Sequence, residues 1–330
     1  MRIGDHRDTG PAGIEKLRGG AVEFGFASTT DEVTAGQDLR GTVALVTGAT
    51  SGLGRETARA LAAVGARVIL AGRNDEKLAA AAREITGSIP GATVEVGHLD
   101  LTSLQQVREY AGDFLAANDR LTLLINNAGV MATPFEHTAD GFELQFGTNH
   151  VGHFLLTCLL APALLRDPPS RIVNLSSGGH VASDVLWDDP NFERHAYDPF
   201  ISYGQSKSAN ILFTVELERR LSPRGVHAYA VHPGLVGTEL GRYMTPVVLA
   251  QLMEKAKQGG GMPTRKSLAQ GAATTVWAAT APGLEPLGGS YLADCQVSDH
   301  HAAWAVDPDA AARLWALTEE LVGQPFSLES

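Results

Sequence analysis

The sequence predicts an α/β fold: a doubly wound, parallel sheet of about seven strands with helices on both faces, in a single domain. Three observations predict it. From Leu39 onward, short apolar runs alternate with helix-period patterns, so successive strands need crossover helices. The stretch Val43-Ala-Leu-Val-Thr-Gly-Ala-Thr-Ser-Gly-Leu-Gly54 reads as a strand, a tight turn and the start of a helix. Residues with chemical potential cluster just after the apolar runs, and right-handed crossovers gather those strand ends along one ligand-binding edge.

The elements follow in order. Strands are expected at 43–46, 67–70, 93–99, 121–125, 171–175 and 226–231, with a short seventh at 290–292. Between them lie helices over 55–64, over 75–85 with Asp75 as N-cap, and from a Thr102 or Ser103 cap to about 117. A long helix is expected near 141–165, another at 203–221, and a closing helix at 309–321 after Pro308. Residues 1–36 lack sustained periodicity and read as an extension, surface-packed or partly disordered and partly helical near Ala35. Phe24, Phe26 and Val33 are its packing candidates. The alternation never pauses, so 37–330 reads as one catalytic domain.

A formal net charge of −11 argues against nucleic acid or an anionic membrane as partner. The two cysteines, Cys158 and Cys295, give neither a disulfide framework nor metal-ligand spacing, so no metal is expected. No apolar run approaches bilayer-spanning length, and the N-terminus has no apolar signal core. The expectation is a cytoplasmic protein acting on a small molecule.

The glycine turn suits a diphosphate. Gly48, Gly52 and Gly54 allow backbone approaches that a Cβ would forbid, and the opening helix, with Ser51 and Leu53 at its start, directs N–H groups at the turn. Its G-x-x-x-G-x-G spacing differs from the G-x-G-x-x-G dinucleotide fingerprint and is weak alone. After the second strand come Arg73 and Asn74; an arginine there suits a 2′-phosphate and favours NADP(H), with NAD(H) as the alternative. Asp100-Leu101 is placed to meet an adenine edge. Asn126-Asn-Ala-Gly129, Ser176-Ser177 and His232-Pro-Gly234 follow the fourth, fifth and sixth strands. Tyr203 and Lys207, four apart, share a helix face, and a neighbouring ammonium lowers a phenol's pKa toward neutrality.

Together and in this order, Thr47-Gly-x-x-x-Gly-x-Gly54, Asn126-Asn-Ala-Gly129, Asn149, Ser177, Tyr203-x-x-x-Lys207 and Pro233-Gly234 resemble the classical short-chain dehydrogenase/reductase family, over roughly 37–322. The resemblance implies a Rossmann-like fold with Tyr203 as acid/base, Lys207 tuning it and bonding the nicotinamide ribose, and Ser177 holding the substrate oxygen. It implies that Asn149 holds a water of a proton relay. Asn127, Ala128 and Gly129 would line the adenosine side, and Pro233, Gly234, Val236 and Thr238 the nicotinamide. Ser177 lies 26 positions before Tyr203, roughly double the family's usual interval. The insert 178–202, with the motifs around Asn149 and Tyr203, is similar to the retinol-dehydrogenase-like branch, which implies NADP(H) and a bulky apolar ketone, aldehyde or alcohol. That branch's membrane members carry an N-terminal anchor; nothing of that kind stands in 1–36, which argues against a retinoid. His180 and the segment 239–266, with Met244, Met253, Met262 and a Gly259-Gly-Gly261 hinge, are the expected substrate contacts and lid. A homodimer or homotetramer is expected through the long helix (Leu144, Val151, Phe154, Leu155, Leu159) and the Tyr203 helix. The rival readings are an NAD-dependent alcohol dehydrogenase and a cofactor-binding sensor without turnover.

Overall fold

The structure is a computed structural model that describes residues 24–244 and 264–327. Its strands are β1 (Val43–Thr47), β2 (Arg67–Gly72), β3 (Val94–His98), β4 (Leu123–Asn126) and β5 (Ser170–Leu175). They continue with β6 (Val226–His232), β7 (Leu235–Val236), β8 (Arg265–Lys266), β9 (Tyr291–Ala293) and β10 (Gln296–Val297). The main sheet has the order β10-β9-β6-β5-β4-β1-β2-β3, and β7 and β8 form a separate pair. Seven of its strands, β3 through β9 in that order, are parallel. The antiparallel β10 is an eighth that the sequence did not announce. It follows a bend in which Asp294 and Cys295 take positive φ (53° and 57°), a conformation their residue types seldom signal.

Strand order reverses between β1 and β4. At that point crossovers leave in opposite directions and a crevice opens beyond the strand ends. All five residues of β1 are buried because helices cover both faces; edge strand β3 is largely exposed. The helices are α1 (Thr30–Thr34), α2 (Gly52–Ala63), α3 (Asp75–Ser88), α4 (Leu104–Ala117), α5 (Leu144–Phe146), α6 (Gly152–Leu164), α7 (Pro199–Leu221), α8 (Leu268–Thr280) and α9 (Pro308–Val322). One core joins Leu45 and Ile172 to Phe114, Phe154, Phe213 and Trp315 of α4, α6, α7 and α9. The other joins Val46 and Leu70 to Leu61, Leu78 and Val276 of α2, α3 and α8.

Several boundaries move for local reasons. The cap of α3 is Asn74, whose side chain accepts from Lys77 N; Asp75 instead opens the first turn. Ser103 caps α4. Helix α7 begins before Tyr203, at Pro199, with Asp198 as N-cap and proline at its first position. The long helix is interrupted by a π turn, Gly147–Val151, where Gly152 N donates to Gly147 O. Helix α8 was not foreseen, because its Ala, Gly and Thr residues draw no apolar stripe; a Ser267–Gln270 capping box starts it. Part of the expected extension is docked: α1, capped by Thr29, buries Val33, and Thr30 Oγ1 donates to Glu56 of α2. Phe24 packs on the second core while Phe26 stays exposed. Residues 1–23 of the extension, and Met253, Met262 and the 259–261 hinge of the expected lid, lie outside the described residues.

Candidate active site

The turns after β1 and β4 are sewn together by Thr47 and Asn127. Thr47 Oγ1 accepts from the main-chain N–H groups of Asn127 and Ala128, each at 3.0 Å. Asn127 Nδ2 donates to Thr47 O at 2.8 Å. The resulting approach leaves no room for side chains: a Cβ on Gly48 (φ +65°) would stand 2.7 Å from Ala128 Cα, and one on Gly54 2.4 Å from Asn127 Nδ2. Ser51 caps α2 without a side-chain bond, so its first-turn N–H groups remain directed at the turn.

Beyond these turns lies a cleft of about 600 Å³. It gathers Gly48, Ser51, Gly52, Leu53, Gly54, Arg73, Asn74, Asp100, Leu101, Asn127, Ala128, Gly129 and Thr238. Glycines that a Cβ would fill, a helix N-terminus and a basic far end are the features a nicotinamide dinucleotide requires. Lys77 also lines the cleft, one turn beyond Arg73. Its position three and four residues from Asn74 and Arg73 on α3 was the available signal. Pro233, Gly234 and Val236 are not part of this lining: Gly234 (φ +79°) lies against Lys266, and Val236 packs on Gly271 of α8.

Gly129 lines the cleft, and a Cβ on it would stand 3.1 Å from Asn149 Oδ1 and 3.7 Å from Lys207 Nζ. Here the π turn, α7 and the end of β5 converge. Lys207 Nζ sits 5.6 Å from the Tyr203 ring centre and donates to Leu175 O at 3.0 Å. On its other side Tyr203 lies against Gly179, and Ser177 Oγ accepts from Gly179 N at 3.0 Å. Ser176 Oγ instead donates to Lys207 O at 2.9 Å, inside the fold. Ser177 is therefore the serine beside the phenol.

Three expectations change. Burial pushes Tyr203 up to about 12, with its Ser177 hydrogen bond acting in the opposite direction, and burial brings Lys207 down to about 7. The lysine does not draw the phenol toward neutrality, because the low-dielectric pocket disfavours both charges at once. Asn149 has no side-chain proton to spare: Nδ2 donates to Val130 O at 3.0 Å and Ser206 Oγ at 2.9 Å, while Oδ1 accepts from Val130 N at 2.8 Å. A water held by this residue can only donate to it, at Oδ1 or at the main-chain carbonyl. His180 is not a free substrate contact; Nδ1 donates to Ser177 O at 2.6 Å and Nε2 accepts from Ala302 N at 3.1 Å. It is a brace that sets the backbone of Ser177.

The insert is knotted onto the site. Asp189 accepts from the N–H groups of Glu193, Arg194 and His195, and Gln205 of α7 donates to Pro190 O. Tyr197 OH donates to Thr133 O at 3.0 Å, linking the insert to the loop after β4. The β7–β8 pair closes the base of the expected lid, and Lys266 pairs with Asp294. Of the stripe expected as a helix-pair interface, Val151, Phe154 and Leu155 are completely buried in the chain's own core, while Leu144 and Leu159 are half-buried. Among the described residues no three His, Cys, Asp or Glu side chains could hold a metal, and no helix is long and apolar enough to cross a membrane.

Comparison with known proteins agrees with this geometry. Residues 42–247 match the family model described as short chain dehydrogenase. The chain is 44% identical to retinol dehydrogenase 11 of Mus musculus, over 88% of this chain and 90% of that protein. It is 42% identical to retinol dehydrogenase 13 of Homo sapiens, over 92% and 93%. A crystal structure of a putative uncharacterized protein from Mycobacterium paratuberculosis superposes with a TM-score of 0.70 at 36% identity, covering 89% of this chain and 98% of that one. The chain belongs to the short-chain dehydrogenase/reductase family, oxidoreductases that interconvert alcohols and carbonyls with a nicotinamide dinucleotide.

Proposed function

We propose that the protein is an NADP(H)-dependent reductase of a bulky, largely apolar ketone or aldehyde. The observation that carries the reading is the convergence of Ser177, Tyr203 and Lys207, with Lys207 Nζ beside Gly129 of the cleft lining. Arg73 and Lys77 line the cleft after β2, and two cations there favour a 2′-phosphate over bare ribose hydroxyls. The bound dinucleotide supplies a hydride to the carbonyl carbon.

The chain's residues supply the proton and the alignment. Ser177 Oγ and the Tyr203 hydroxyl hold the substrate oxygen from one side, and Tyr203 delivers its proton to that oxygen as negative charge develops. A phenol held above neutrality stays protonated at pH 7, which suits it to reduction. Lys207, beside Tyr203, would hold the nicotinamide ribose and serve as the source that reprotonates Tyr203, and its own pKa near 7 lets it lose and regain a proton readily. The carbonyl of Asn149 holds the water that connects Lys207 to solvent. The insert 178–202 shields the substrate end, and relatives named as retinol dehydrogenases support a large apolar substrate.

Titration with NADPH and NADH, followed by nicotinamide fluorescence, tests the cofactor; a preference for NADH would move the reading to alcohol oxidation. Tyr203→Phe tests the chemistry. Turnover should fall by about 10²–10⁴ while NADPH affinity is kept. Turnover that survives would overturn Tyr203 as the proton donor, and a protein that binds NADPH without turning over any carbonyl would return to the cofactor-binding sensor.

A further inference from the structure

Resting on the relay just described, we infer that His153 is a positioning residue that fixes the Asn149 carbonyl and ties it to the dinucleotide turn. His153 stands on α6, one helical turn after Asn149, and is 1% exposed. Its Nδ1 lies 3.0 Å from Asn149 O. A carbonyl only accepts, so Nδ1 carries the proton. In a neutral ring Nε2 is then bare, and it lies 2.9 Å from Thr47 Oγ1. Thr47 must donate to it; Ile125 O, at 3.4 Å, is the weaker competing acceptor. Burial and the nearby Lys207 both keep the ring uncharged.

Every bond of the resulting chain has a defined direction. The N–H groups of Asn127 and Ala128 donate to Thr47 Oγ1, Thr47 donates to His153 Nε2, and His153 Nδ1 donates to Asn149 O. One end is the Asn127–Ala128 turn after β4, which closes on the glycine turn. The other is the Asn149 carbonyl, the acceptor this relay assigns to the water, while both Nδ2 protons are spent on Val130 and Ser206. The π turn makes the ring useful: helix bonding has slipped to Gly152 N–Gly147 O at this point, and the imidazole orients the carbonyl that follows. His153 touches neither substrate nor cofactor. It acts through Asn149.

The test combines the tautomer with a split between chemistry and binding. Nitrogen NMR of histidine-labelled protein should show His153 as the Nδ1–H tautomer, without titration across neutral pH. Adding NADPH should move its Nε2 resonance, and in Thr47→Val that response should vanish while Thr47→Ser keeps it. His153→Phe, which keeps the ring's volume and loses both bonds, should lower kcat by about 10- to 100-fold with NADPH affinity and fold retained. His153→Asn keeps a donor for Asn149 O and should recover most of that loss. A purely structural histidine would instead lower Tm alike in both variants and leave kcat alone. An Nε2–H tautomer, or equal kcat in the Phe and Asn variants, would overturn the inference in an active enzyme. A wild-type protein with the expected tautomer and NADPH response but no turnover would overturn the relay and leave only the structural link.

Discussion

Replacing Lys207 by methionine separates what the lysine does for the reaction from what it does to the fold. Burial brings its ammonium from the ordinary 10.5 to about 7. At about 1.36 kcal/mol for each pH unit, the charged form costs the folded chain about 4 to 5 kcal/mol relative to water. Methionine refills most of the volume without a charge. The lost bond leaves little damage, because Leu175 O still accepts from Asn210 Nδ2 at 3.0 Å; about 1 kcal/mol is a fair figure. The variant should be more stable by about 3 kcal/mol at pH 7. The folded value lies below the unfolded one, so the cost is complete below pH 7 and fades as pH rises toward 10.5, where the unfolded lysine also loses its proton. Urea denaturation at pH 7 and at about pH 10 would show a gain that shrinks with pH, while turnover at pH 7 falls by about 10²–10⁴. A variant that is less stable at pH 7, or whose gain is the same at both pH values, would refute the reasoning.

Burial also holds His150, His153 and His232 down, to about 3, about 4 and about 4. The unfolded chain takes up protons near pH 6.5 that the folded chain refuses, so stability is intact above that value and is lost as pH falls toward 4. Thermal melts over that range check this; a flat Tm is the contrary result. Gly48→Ala should strain a left-handed residue by about 1–2 kcal/mol and drive Ala128 into the cleft. NADPH affinity, read by fluorescence, should fall at least about 10-fold with far-UV dichroism unchanged. Arg73→Asp removes a cation and adds a carboxylate where the 2′-phosphate would lie, and should move the NADPH/NADH affinity ratio by about 100-fold toward NADH. An unchanged ratio would leave cofactor choice to other residues.

The parallel sheet was legible because its signals are local. A four-residue apolar run such as 43–46, buried on both faces, is the same in any context that covers it with helices. The glycine turn and the Tyr203–Lys207 pair could be read for a similar reason, from spacing alone, whereas Asn149 and Ser177 were singled out by the family resemblance. The small-residue helix α8 and the hairpin to β10 were not, because neither writes a period into the chain. What the site residues do with their valences was decided by tertiary structure alone. Ser176 and Ser177 are adjacent and alike, and only the path of α7 turns one toward Lys207 O and leaves the other beside Tyr203. His180 is spent on Ser177 and Ala302, the latter 122 positions away in the chain. The shifts of Tyr203 and Lys207 depend on how completely the rest of the protein excludes water, and burial is a property of no single stretch of sequence.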